Sequence, residues 1–249
     1  MGILSFPNDD FPKVTNVPHH HAKGQCLSCS IRPITIFSTL DTAEVEQIQA
    51  FQPAIIQYEP DEIIYHQGME ARYAFTLRQG FVKIVNTLAD GRSHIVQLLR
   101  DGDFFGFGGL SGANYKHSAI ALITVDVCRL PLSDLLKLKQ PPPKIETEMT
   151  KRWLERLHRA ESMLVELGAK KAAERLASFL LRWCAGNSPD TWVALPLNRA
   201  EIGELLGVTI ETVSRFFADW KRQGFIGESR GNIQMLDAAG LRLAVGVED

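Results

Sequence analysis

Residues 197–225, LNRAEIGELLGVTIETVSRFFADWKRQGF, constrain this chain more than any other stretch, because they spell two short helices that meet at a tight turn. Asn198 is a good N-cap, and Glu201 follows three residues later in capping-box position. Ile202, Leu205 and Leu206 then share one face before Gly207 breaks the helix. A second helix is expected to start near Thr209 and to bury Val213, Phe216, Phe217 and Trp220, which turns Glu211, Ser214 and Arg215 outward. Those three side chains, with Thr209 and Thr212 at the helix start, are candidates for reading a DNA groove. Glu accepts from a cytosine amino group, Arg pairs bidentately with guanine or holds a phosphate, and Ser touches base edges or backbone. Downstream, FIGESRGNIQML alternates around Gly231-Asn232 and predicts a hairpin wing. An ordinary helical hairpin with a solvated polar face has the same pattern, and the wing is what favours the DNA reading.

At 249 residues the chain is long enough for two modest domains, each with its own core. A net charge of −2 excludes a protein that binds nucleic acid through bulk charge. Contact with double-stranded DNA therefore needs a local patch, for which Arg199, Arg215, Lys221, Arg222 and Arg230 are available. No apolar run approaches membrane-spanning length, and residues 1–11 lack the charged start and apolar centre of a signal peptide, so a cytoplasmic protein without a membrane partner is expected. In that compartment four cysteines point to ligands, a redox switch or buried small side chains rather than to structural disulfides.

Residues 1–25 contain prolines, a His19-His20-His21 run and little periodicity, and read as a flexible tail. Residues 55–132 change to short β-prone runs punctuated by Gly68, Gly80, Gly91 and Gly102, the pattern of a compact antiparallel barrel or jelly roll, with Asp90-Gly91 the clearest hairpin. The glycine-rich residues 106–112 are better explained as a barrel turn than as a phosphate loop. Pro141-Pro142-Pro143 cannot lie inside a helix and separate the barrel from a helix expected over residues 145–167. Trp153, Leu157, Ala160, Leu164 and Leu167 recur there at spacings of four and three, a heptad seam suited to pairing with a second copy, although a helix packed on its own barrel would also show an apolar stripe. Two reading helices in a homodimer would address two half-sites one helical turn apart.

Barrel, long helix and winged helix-turn-helix in this order resemble the CRP/FNR superfamily of bacterial transcription regulators from Cys26 onward. YHQG, RQGFVKI, DGDFFGFGGLSG and CRLPL look like its barrel, AAERLASFLL like the start of its DNA-binding domain, and GVTIETVSRFF like its recognition helix. The resemblance implies an α+β fold: an N-terminal β jelly-roll barrel of the cyclic-nucleotide-binding type (residues 26–140), a dimerisation helix (141–168) and a C-terminal winged helix-turn-helix (169–249). It also implies a regulator rather than an enzyme, with RNA polymerase as a further partner. The pattern E-x-x-S-R at Glu211, Ser214 and Arg215 is similar to the FNR branch, whereas the cyclic-AMP branch has Arg where Ile210 stands and Gly where Ser214 stands. The implied target is an inverted repeat with half-sites like TTGAT.

In the cyclic-AMP branch a Glu in an F-G-E-L motif holds the ribose and an Arg in an R-S motif holds the phosphate. The corresponding stretches here are FGFGGL and His117-Ser118, so cyclic AMP is not the expected effector. Cys26-Leu27-Ser28-Cys29 together with Cys128 resembles the oxygen-sensing members, whose four cysteines hold a [4Fe–4S] cluster. One further amino-terminal cysteine of that pattern is missing, since SIRPITIF contains none, and Cys184 belongs to the helix region of the DNA-binding domain. Three readings follow. Cys26, Cys29 and Cys128 hold a cluster completed by an oxygen or nitrogen ligand, with nearby histidines as candidates. Alternatively the same thiols form a reversible disulfide switch, or they are remnants in an effector-independent regulator. A thiol–disulfide enzyme built on Cys26 and Cys29 is a rival from another class, but PHHHAKGQ does not read as the strand such enzymes place before the motif.

Overall fold

The computed structural model describes residues 21–108, 112, 114–137 and 143–246. Residues 1–20 of the expected tail, and Pro141 and Pro142 of the expected separator, lie outside the described residues. The described residues open with β1 (His21–Lys23), followed by a 3-10 turn at Arg32–Ile34 and helix α1 (Thr42–Gln49). The barrel strands are β2 (Ala54–Tyr58), β3 (Ile63–Tyr65), β4 (Tyr73–Gln79), β5 (Val82–Thr87), β6 (Ser93–Leu99), β7 (Phe104–Phe105), β8 (Ser118–Ala121) and β9 (Val125–Pro131). Helices α2 (Leu132–Lys137), α3 (Pro143–Ala169) and α4 (Ala172–Trp183) follow. The carboxy-terminal part is β10 (Val193–Ala194), α5 (Arg199–Leu206), α6 (Ile210–Arg222), β11 (Ile226–Ser229), β12 (Asn232–Met235) and α7 (Ala238–Val245).

Strands β1 to β9 form two antiparallel sheets, ordered β1-β2-β9-β4-β7 and β3-β8-β5-β6, which face each other as a jelly roll. Alternation along the strands drives this arrangement: Ile56 and Tyr58, Phe75 and Leu77, Val82 and Ile84, and Val125 and Val127 all point inward. Asp90-Gly91 makes the β5–β6 hairpin as expected, closed by the bond from Leu88 N–H to Arg92 C=O at 2.8 Å. At Gly102, φ is +87° and a Cβ would stand 2.6 Å from the Ile34 carbonyl oxygen, so no other residue fits that corner.

The expected flexible tail of residues 1–25 does not hold at residues 21–23. His21–Lys23 pairs antiparallel with β2 and adds an edge strand to the barrel, because an extended tripeptide satisfies its backbone there. Pro143 opens α3 rather than standing outside it; proline is tolerated at a helix start, where its missing N–H has no partner to lose.

One apolar cluster crosses the two halves of the molecule. Val85 and Ile95 on the β5–β6 hairpin join Leu176, Leu180, Ile202, Leu206, Val213 and Phe217 of the carboxy-terminal helices. The contact has a polar centre: Lys83 Nζ lies 2.6 Å from Glu201 Oε1, with both side chains only 12% exposed. Ser93 Oγ donates to Glu204 at 3.1 Å, and Phe81 packs on Trp183 with centroids 5.6 Å apart. The helix that precedes the reading helix is thereby tied to the barrel.

Candidate nucleic-acid interface and thiol cavity

The two helices singled out in the sequence form as expected. Asn198 Oδ1 accepts from Glu201 N–H at 2.9 Å, and Glu201 Oε2 accepts in return from Asn198 N–H at 2.8 Å, a complete capping box. Gly207 closes α5 in the left-handed region (φ +62°), where a β-carbon is disfavoured. Sequence reasoning passed over Gly203: a Cβ there would stand 2.6 Å from the Val208 carbonyl oxygen, so this glycine is what lets the turn fold back on α5.

Thr209 caps α6, its hydroxyl accepting from Thr212 N–H at 3.3 Å, while Val213, Phe217 and Trp220 are buried. Glu211, Ser214 and Arg215 are exposed together on the opposite face, and Thr212 is half-buried. Glu211 lies in the first turn, where its own backbone N–H and the Thr209 hydroxyl hold its carboxyl below the usual carboxylate range. It is therefore an ionised acceptor. Arg215 lies over the Phe216 ring at 5.3 Å.

The other two candidate contacts differ from each other. Arg230 is exposed at the tip of the wing with φ +45°, and the β11–β12 turn is Arg230-Gly231, one residue upstream of the expected Gly231-Asn232. Arg199 is held in an ion pair with Glu228 of β11 and lies 3.6 Å above the Phe217 ring. Lys221 approaches the other oxygen of Glu228 at 2.8 Å, so one wing carboxylate gathers cations from α5 and α6.

On α3, Trp153, Leu157 and Leu164 are 46%, 53% and 72% exposed, and Ala160 is exposed beside them. Leu167 departs from this stripe. It is half-buried, its Cδ2 next to the α5–α6 turn at Gly207, and Arg175 donates to its carbonyl at 2.7 Å. The last seam position packs on its own DNA-reading domain because α3 ends there and α4 turns back.

Residues far apart in sequence build the second site. Cys26, Cys29 and Cys128 line one cavity with Arg32, Thr35, Thr76, Arg78, Leu40 and Ile48 among its walls. The Cys26–Cys29 turn is clamped onto α1: Gln49 Oε1 accepts from Cys26 N–H at 2.6 Å, and Gln49 Nε2 donates to the Gly24 carbonyl at 2.7 Å. Cys128 lies on β9 opposite Thr76 of β4. Burial pushes the Cys128 thiol up to about 12, against the opposing pull of Arg78. Burial, with Cys29 beside it, also raises Cys26 against the pull of Arg78 and Arg32. Arg78 Nη1 donates to Cys29 Sγ at 3.3 Å. Cys184 is buried in the carboxy-terminal core, away from this cavity.

Among the described residues no histidine lines the cavity, and no group of three or more Cys, His, Asp or Glu side chains converges on a single metal ion; His19 and His20 lie outside the described residues. The donors are three thiols and the Thr76 hydroxyl, whose Oγ1 is buried without a hydrogen-bond partner. That set fits a sulfide-bridged iron cluster held by three thiolates with a non-thiol fourth position. The cavity encloses about 30 Å³, roughly the space of one water, so its walls must part to admit such a group.

The barrel interior is filled with rings. Tyr65 stacks on Tyr115 at 3.9 Å and on Phe75 at 5.6 Å, and Phe75 stacks on Phe105 at 5.3 Å. Burial lowers the His117 pKa and favours its neutral form, and Ser118 Oγ accepts from Gln67 N–H at 2.9 Å. The Cys26–Cys29 pair is preceded by β1, contrary to the expectation that no strand stands there, but a turn and a 3-10 segment follow it in place of a helix.

A jelly-roll barrel joined by a long helix to a winged helix-turn-helix defines a DNA-binding transcription regulator. Residues 55–140 match the cyclic nucleotide-binding domain, and residues 174–244 match the Crp-like helix-turn-helix domain. The nitrogen fixation regulation protein FixK of Bradyrhizobium diazoefficiens is 31% identical over 219 residues, covering 86% of this chain and 91% of that protein. The fumarate and nitrate reduction regulatory protein of Vibrio cholerae is 28% identical over 227 residues, covering 89% and 90%. The structure of FixK2 from Bradyrhizobium japonicum matches with a TM-score of 0.71 at 30% identity, covering 79% of this chain and 99% of that one. The chain belongs to the CRP/FNR superfamily. It is a transcription regulator and not an enzyme, which removes the thiol–disulfide enzyme as a rival. No described helix is long and apolar enough to cross a membrane.

Proposed function

We propose that this protein is a homodimeric, cytoplasmic regulator that reads an inverted repeat with TTGAT-like half-sites and responds to oxygen, nitric oxide or redox state through Cys26, Cys29 and Cys128. The observation that carries the sensory half is the meeting of these three thiols in one cavity, although Cys128 comes from β9 and the other two from the amino-terminal turn. The three thiols would hold a [4Fe–4S] cluster, which supplies oxygen-labile redox chemistry when bound. The reading half rests on the shared exposed face of Glu211, Ser214 and Arg215, with Arg230 on the wing as a phosphate contact. Arg199, already paired with Glu228, acts by holding the wing against the reading helices. The exposed stripe Trp153, Leu157, Ala160 and Leu164 suits burial against a second copy. Exposed barrel loops would contact RNA polymerase. A barrel packed with stacked rings, next to a neutral His117, argues against cyclic AMP as effector.

Iron and acid-labile sulfide, with a visible spectrum, on protein purified without air test the sensory reading. About four of each per subunit, with colour bleached by air, supports it. Colourless, iron-free protein contradicts the cluster and favours a second reading, for which the Arg78 contact to Cys29 is the specific observation. There a peroxide takes two electrons and two protons from a pair of these thiols, leaving a disulfide and two waters.

A further inference from the structure

Thr76 lies within β4, is 3% exposed, and its Oγ1 makes no hydrogen bond. Buried hydroxyls without partners are uncommon in native proteins because desolvation is left uncompensated, and a valine of the same shape would fill this position without that penalty. The strand register explains where the hydroxyl points. Thr76 pairs directly with Cys128 across β4 and β9, so both side chains leave the sheet on the same face, and both line the thiol cavity.

The other polar side chains of that cavity are already engaged or have no lone pair to offer. Thr35 Oγ1 donates to the Arg32 carbonyl at 3.0 Å and accepts from Phe37 N–H at 3.2 Å. Arg32 and Arg78 are cationic donors. Among the described lining residues, Thr76 Oγ1 is the one side-chain oxygen with its lone pairs uncommitted.

We infer that Thr76 Oγ1 is the fourth, non-thiol ligand of the iron–sulfur group held by Cys26, Cys29 and Cys128, serving from β4 in place of the amino-terminal cysteine that this chain lacks. The inference rests on the cluster reading above. An oxygen donor holds iron less firmly than a thiolate in a sulfide-rich group, so one iron is distinct and leaves first. The missing cysteine is then a change of ligand rather than the loss of a site.

The test compares iron and sulfide content and electron paramagnetic resonance of the full-length protein, purified without air, for wild type, Thr76→Val, Thr76→Cys and Cys128→Ser. The wild type is expected to hold about four irons and four sulfides per subunit, Thr76→Val about three irons to four sulfides with a three-iron signal, and Thr76→Cys about four irons that survive air about tenfold longer. Thr76→Val removes a hydroxyl that makes no hydrogen bond, so its fold is retained. A Thr76→Val protein with the iron content and spectrum of the wild type overturns the inference and leaves the cluster reading standing. Wild type without iron, or Cys128→Ser with undiminished iron, overturns the cluster reading and the inference together.

Discussion

The DNA-reading face and the thiol cavity are built on opposite plans. The face is drawn from residues within two turns of one helix, capped and turned by neighbours within a few positions, so its side chains stand together because of local geometry alone. The cavity joins an amino-terminal turn, α1 and two barrel strands, and exists only when the sheet register brings Thr76 and Arg78 beside the cysteines. A locally coded site tolerates changes elsewhere in the fold, whereas a site assembled by strand register is sensitive to the whole barrel. The two are joined through Lys83 and Glu201, which link the barrel hairpin to the first helix of the reading domain.

That junction offers the sharpest way to break the comparison. Lys83→Ala strands the Glu201 carboxylate in a site where its side chain is 12% exposed, and is expected to cost about 3–5 kcal/mol, as measured by urea unfolding. It should also separate the unfolding of barrel and reading domain into two transitions. A loss below about 1 kcal/mol with one transition would show that the Lys83–Glu201 pair is not what holds the halves together.

Next in size are the reading side chains. Arg215→Ala should abolish specific binding to a TTGAT-type duplex, and Glu211→Ala should mainly relax base preference, each by roughly 1–3 kcal/mol per lost base contact. Equal weakening on specific and random duplexes would contradict both roles.

The seam gives a smaller effect. Effector-free protein at micromolar concentration is expected to sediment as a dimer, because Trp153, Leu157, Ala160 and Leu164 contain no charge, and Leu164→Asp should raise the dissociation constant at least about tenfold. A wild-type monomer would contradict dimerisation independent of effector.

Acid gives the smallest. The Glu228 and Glu166 carboxyls are raised by burial, but the balance is reversed by Lys221 and Arg199 in the first and by Lys170 and Arg182 in the second, so both titrate below the 4.5 of a free glutamate. A depressed folded pKa gives stability that is complete above 4.5 and lost as pH falls through the folded values. The loss should be under about 1 kcal/mol per group after solvent screening, read as a falling urea midpoint. A midpoint that rises on acidification would contradict these pairs.

Legibility in the sequence follows the same division. The capping box, the Gly207 break, the apolar face of α6 and the glycine-punctuated barrel could be read because each depends on spacing within a few residues. Cys26, Cys29 and Cys128 could be picked out by residue type, but Thr76 and Arg78 could not, since a threonine and an arginine in a strand carry no mark of what faces them across the sheet. The edge strand His21–Lys23 was hidden for a similar reason: its partner β2 lies beyond α1. Arg199 looked like a phosphate contact because sequence shows its charge and not the Glu228 carboxylate that a later strand brings to it.

The central claim is that the thiol cavity governs the reading face. The most direct test is the affinity of protein purified without air for a TTGAT-type duplex, before and after exposure to air, in wild type and Cys128→Ser. The wild-type affinity should change at least about tenfold on exposure, and Cys128→Ser should show no such change. Equal wild-type affinity in both conditions would contradict the claim and leave a regulator whose DNA reading does not depend on its cysteines.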